Sequence, residues 1–186
     1  MREGRRISLV AVMVAACIGS NYALIGVPNF KVMDLLVFVS GFIFGPMIGA
    51  SVGILVWTVY GILNPYGFVP QIWIATMLSE SIYGLAGGIF AKLIPITGSS
   101  DHRAGLSILF GATGFLLTLL YDLITNIAFA LTFNVPIIAA LIAGIPFALI
   151  HEASNAVLFG ICSTPLISIL DRSLRGEFRG LGAWRP

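Results

Sequence analysis

The chain has 186 residues, 58% of them hydrophobic and only 10% charged, with a formal net charge of +2. A soluble domain carries about 25% charged residues, so this balance excludes an ordinary water-soluble domain and gives no sign of a nucleic-acid partner. The charges are also clustered: no Asp, Glu, Lys or Arg occurs in 7–30, 35–79, 104–121 or 123–150.

Several of these runs exceed the roughly 20 residues that cross a bilayer. They are continuously apolar rather than alternating, which argues against a β-barrel. The expected class is an all-α integral membrane protein. It would be one six-transmembrane-helix bundle over residues 1–186, with no room for a separate soluble domain.

Helix 1 is expected over 6–25, after the basic start MREGRR, and Gly26 and Pro28 end it. Its small residues lie inside the apolar run rather than after it, so it reads as a retained helix and not a secretory signal. Helix 2 is short, 32–44. Gly45 breaks it, and Pro46 suits the first position of helix 3, 46–63. The stretch Asn64 to Pro70 is rich in turn residues. Helix 4 follows over 71–93, then a polar connection, 95–102. Helix 5 is expected over 103–132 and helix 6 over 135–170, with kinks possible at Pro146 or Pro165. The basic, Gly-rich tail from Asp171 is expected to fray.

Six helices put both termini on one side. By the positive-inside rule that side is cytoplasmic: Arg2, Arg5, Arg6, Lys92, Arg103, Arg172, Arg175, Arg179 and Arg185 fall there, and only Lys31 falls outside. The expected location is the cell (plasma) membrane, multi-pass. Cys17 and Cys162 sit in apolar helix and read as small hydrophobes, with no disulfide and no metal.

Small residues repeat on several faces. Gly45, Gly49 and Gly53 on helix 3 read as internal packing, since residues four apart let helices approach closely. Ala11 and Ala15 on helix 1 read as an outward face for another membrane protein.

Polar groups inside the span carry the functional argument, because intramembrane ionisable residues are costly. Glu80 on helix 4 and Asp122 and Asn126 on helix 5 share a level near mid-membrane at 1.5 Å per residue. His151, Asn155 and Glu152 on helix 6 project at roughly 0°, 40° and 100°, one arc of the helix. By the same rise His151 and Glu152 lie deeper than Asp122, unless helix 6 kinks or begins higher. Tyr60, Tyr66, Trp73, Tyr83 and Tyr121 are candidate flat walls. A cavity is one reading; a structural network between helices 4, 5 and 6 is the other. Asp34, near the rim, is expected only to cap or snorkel. No Lys or Arg lies in the core, so the site suits a neutral or cationic ring compound, although Lys31 could serve an anion from the loop above.

No catalytic motif accompanies these groups. His151-Glu152-x-x-Asn155 lacks the second imidazole of a zinc site, and neither GxSxG nor a Walker motif is present. The chain is expected not to be an enzyme and to need no cofactor.

The run Met33 to Trp57, with Gly41, Gly45, Pro46, Gly49 and Gly53, resembles the helix 2–helix 3 signature of substrate-binding S components of energy-coupling factor (ECF) vitamin transporters. The NPYG at Asn64 to Gly67 and the stretch Ile145 to Gly160 are similar to that family too. The resemblance implies high-affinity capture of a vitamin or cofactor precursor at the outer face. It also implies a transmembrane coupling protein with two cytoplasmic ATPases as partners. Ala11 and Ala15 would meet the coupling protein. Tyr66, Trp73, Glu80, Asp122, Asn126, His151 and Asn155 would line the site. The alternatives are a structural or scaffolding protein of the cell envelope with no ligand, and an intramembrane enzyme using His151 and Glu152.

Overall fold

The computed structural model describes residues 3–63, 65, 67–94 and 100–178. They form six helices: α1 (Glu3–Ala23), α2 (Val32–Phe44), α3 (Pro46–Leu63), α4 (Pro70–Leu93), α5 (Ser100–Phe133) and α6 (Ile137–Phe178). No strand occurs among the described residues. Four helices contain spans long and apolar enough to cross a membrane: Pro46–Leu63, Pro70–Leu93, Ala104–Phe133 and Ile137–Arg172. The apolar part of α1, Ile7–Ala23, and the whole of α2 are shorter. At 1.5 Å per residue α2 reaches only about 20 Å, against about 30 Å of hydrocarbon. The six expected spans therefore meet four helices of full length and two short ones.

Helices α2 and α3 fall where the Gly-Pro signal puts them. Gly45 joins them at a φ of 97°, a region open to glycine and costly for other residues. Pro46 then opens α3 where no N–H partner is needed. The largest departure is α6. It runs unbroken through Pro146 and Pro165 and continues past Asp171 to Phe178, where a frayed tail was expected. A proline removes one backbone hydrogen bond, which neighbouring helices can compensate in a bundle. Leu174, Arg175 and Glu177 are good helix formers and extend it. The connection 95–99 and residues 179–186 lie outside the described residues.

Close backbone contact holds the first half together. A Cβ on Gly84 of α4 would fall on the Gly49 backbone of α3, and one on Gly41 of α2 would fall on the Gly84 carbonyl. The glycines of α2, α3 and α4 are thus spent on internal packing. In the second half α5 and α6 run antiparallel: Gly111 faces Ala156 and Gly160, Gly114 faces Asn155 and Phe159, and Asn126 faces Gly144. Outward positions on this pair, such as Ile108, Leu116, Ile138, Val157 and Ile161, are exposed and apolar. On α1, Met13, Cys17 and Asn21 point inward, while Ala11, Ala15 and Gly19 are exposed.

The interior is layered. Toward one end Phe38 packs against Phe90, Phe110 and Phe159 with ring centroids 5.2–5.9 Å apart, the edge-to-face range that favours aromatic pairs. Asp34 lies one helical turn from Phe38 on α2, and a polar layer begins there. Beyond it is the end carrying the α1–α2 connection. Asn29 ties that connection down by donating to the Phe147 carbonyl of α6 at 3.0 Å.

Candidate functional site

The polar layer centres on His151 of α6. Its Nε2 lies 2.8 Å from Asp34 Oδ2 on α2, and its Nδ1 lies 3.0 Å from Asp122 Oδ1 on α5. A carboxylate only accepts hydrogen bonds, and a neutral imidazole donates only one. Two N···O bonds therefore need at least two protons among the three groups.

Asn155, one turn further along α6, completes the layer. Its Nδ2 donates to Asp34 Oδ2 at 2.6 Å and to Thr118 Oγ1 at 2.8 Å. Thr118 also accepts from the Tyr83 hydroxyl of α4 at 2.9 Å and donates to the Gly114 carbonyl at 2.7 Å. Asp34, His151, Asn155, Thr118 and Tyr83 are all buried to within 2%. The network thus locks α2, α4, α5 and α6 at one level. Asp34 Oδ1, Asp122 Oδ2 and Asn155 Oδ1 are buried with no hydrogen-bond partner. Breaking one contact here would strand a charge rather than expose it to water.

One expectation is corrected by this geometry. Asp34 neither caps nor snorkels; it is fully buried and bonded to His151 and Asn155. His151 stays further along the bundle than Asp122, since Asn126 faces Gly144, yet the two side chains meet at 3.0 Å. Helical side chains lean toward their own N-terminus, and on antiparallel α5 and α6 these leans converge.

Above the layer is a cavity of about 280 Å³. Asn29 and Lys31 of the α1–α2 connection, Trp57 of α3 and Thr76 of α4 line one side. Tyr121, Asp122, Thr125 and Asn126 of α5 and Gly144, Phe147, Ala148 and His151 of α6 line the other. The Lys31 ammonium stands 5.4 Å from the Trp57 ring centroid and 5.6 Å from that of Tyr60, within cation–π range. A Cβ at Gly144 would collide with the Asn126 amide, so glycine lets that side chain close the seam between α5 and α6. Behind the seam is an apolar groove of about 270 Å³ that shares Asp122, Asn126, Gly144 and Ala148 with the cavity.

The predicted residues divide into three groups. Asp122, Asn126 and His151 line the cavity. Trp73, Glu80 and Asn155 stand behind its wall. The Trp73 indole donates to the Trp57 carbonyl at 2.7 Å and packs on Gly61. Glu80 is fully buried and accepts from Trp57 Nε1 at 3.2 Å, so both hold the ring that faces the cavity. Tyr66 lies outside the described residues. Glu152 leaves the arc of His151 and Asn155 and lines the groove on the far side of the seam. Sequence reasoning missed Trp57, and it left Lys31 in the loop above rather than in the wall. For Asp34 the signal was present: a carboxylate in the first turn of an apolar helix, expensive unless paired.

These features define an all-helical bundle, with helices able to cross a membrane, that holds a half-open cavity over a hydrogen-bonded polar floor. No protein-family model, curated protein or solved structure matches the chain.

Proposed function

We propose that this chain is the substrate-capturing subunit of a membrane importer for a vitamin or cofactor precursor, of the kind represented by ECF S components. The observation that carries this reading is the cavity under the α1–α2 connection, with aromatic walls and a floor held by buried hydrogen bonds. Ligand sites are typically apolar hollows of about 300–1,000 Å³ with a few convergent polar groups, and this one suits a small ring compound. In the proposed topology all six helices cross the plasma membrane, the termini are cytoplasmic and the cavity faces outward. The exposed Ala11 and Ala15 are the proposed contact with a transmembrane coupling protein, whose two ATPases supply the energy.

A scaffolding role is the rival reading, favoured by how many of the network's hydrogen bonds are internal. The two separate at Ala148, which lines the cavity and has no part in the network. Ala148→Phe fills the cavity. With the protein in nanodiscs and a panel of vitamins, wild type should change its tryptophan fluorescence for one compound, because Trp57 lines the site. The variant should fold normally and lose that response. A wild-type protein silent to the whole panel, with transport of none of these vitamins in cells, favours the scaffold.

A further inference from the structure

We infer that the groove behind the α5–α6 seam is a second ligand site, which takes a small apolar molecule bearing one hydroxyl and dissolved in the bilayer. The site is separate from the proposed capture cavity and does not depend on it. The Asn126 amide against Gly144 closes the seam between the two. The groove holds about 270 Å³, just below the range of about 300–1,000 Å³ typical of ligand pockets, so its occupant is small. Leu123 of α5 and Ile138, Ile142, Ile145 and Leu149 of α6 form its lips and are all exposed. Both helices are long and apolar enough to cross a membrane, and in one these lips meet acyl chains rather than water.

One polar side chain of this groove has no counterpart inside the bundle. Glu152 lines the groove at 6% exposure, below lips that are 39–74% exposed. It accepts no hydrogen bond from any described residue. Asp34 Oδ1, Glu80 Oε1 and Asp122 Oδ2 are sealed without partners, but the Glu152 oxygens are not among those sealed atoms. No Lys, Arg or His lines the groove among the described residues. Along α6 the stretches 137–150 and 153–170 carry no charge other than an imidazole at neither, so Glu152 stands about 20 Å from the nearer end of the apolar run. A carboxyl at that place is costly unless hydrogen-bonded. Ionised, it only accepts; protonated, it also donates. An ammonium serves only the first state, and an ester only the second. A hydroxyl donates and accepts, so it serves both, and as a slender group it reaches a carboxyl sunk below the lips.

The test uses octanol carrying a photoreactive diazirine, its methyl ether and the corresponding octylamine. Each is added at rising mole fraction to the protein in nanodiscs, irradiated, and its insertion mapped by peptide mass spectrometry. Leu78 of α4, exposed on the outside of the bundle, is the reference for unspecific insertion. The alcohol should label Leu123 and residues 142–149 saturably. Its half-saturation should lie on the order of tenfold below that of the ether, the size of one hydrogen bond. Glu152→Gln keeps an acceptor oxygen and should retain this labelling, whereas Glu152→Leu should lose it and melt as wild type does. An ether that labels as tightly as the alcohol, or unchanged labelling of Glu152→Leu, would overturn the role of Glu152. An amine that labels more tightly than the alcohol would overturn the hydroxyl as the recognised group. Groove labelling that only rises in proportion to that of Leu78 would overturn the site itself. None of these outcomes bears on capture in the cavity.

Discussion

Replacing His151 by leucine is the sharpest perturbation of the polar layer. The imidazole is 2% exposed and bonds two carboxylates at 2.8 and 3.0 Å. Leucine fills much of its volume but leaves Asp34 and Asp122 facing each other with no proton donor between them. Removing one partner of a buried ion pair costs about 3–5 kcal/mol. For a chain of this length each kcal/mol moves the melting temperature by about 2–4 °C, so a fall of about 6–20 °C is expected. The Cys17 thiol offers the assay in a Cys162→Ala background, since Cys17 is fully buried while Cys162 is partly exposed, and a thiol-sensitive dye then reacts only on unfolding. The decisive companion is the triple variant Asp34→Asn, Asp122→Asn, His151→Leu. Neutralising both stranded groups should recover at least half of the loss, because removing all partners costs less than removing one. A single variant melting within about 2 °C of wild type, or a triple variant no more stable than the single, would refute the reasoning.

Trp57→Phe keeps a ring in the cavity wall but deprives Glu80 of its hydrogen bond, and Glu80 Oε1 already lacks one. A loss of about 1–3 kcal/mol is expected, and Glu80→Leu added to Trp57→Phe should reverse most of it in the same melting assay. Gly84→Val drives a side chain into the Gly49 backbone, so α3 and α4 must part and no monodisperse peak should elute on size exclusion. Leucines at Ala11 and Ala15 change an exposed face, so the melting temperature should hold, within about 0.5 kcal/mol of stability. If the proposed coupling protein docks there, its co-purification should nevertheless be lost. Glu152→Gln should leave melting unchanged or raise it, because Glu152 gives up no hydrogen bond.

Local signals carried most of the helical frame. Gly45-Pro46 marks the α2–α3 boundary because backbone geometry alone makes it, and the charge-free runs mark the helices long and apolar enough to cross a membrane. Spacing also put Asp122 and Asn126 at one level but left His151 deeper. What spacing cannot supply is partnership across the chain. Asp34 and His151 are 117 positions apart, and nothing near Asp34 in sequence announces the imidazole that satisfies it. Lys31 reads as a loop cation until the fold tucks the α1–α2 connection over α6. Trp73 and Glu80 were sound choices by residue type, yet they support Trp57 from behind. Which of two neighbouring aromatics faces a cavity depends on helix rotation, and a helix without charged residues such as α3 leaves that rotation unmarked.

The most direct measurement is mass spectrometry of the small molecule released when protein purified gently from rich medium is denatured. Capture in the cavity predicts one vitamin-like compound near stoichiometric amounts, absent from Ala148→Phe purified in parallel. The same compound at equal levels in both proteins, or none in either after incubation with a vitamin panel, would contradict it.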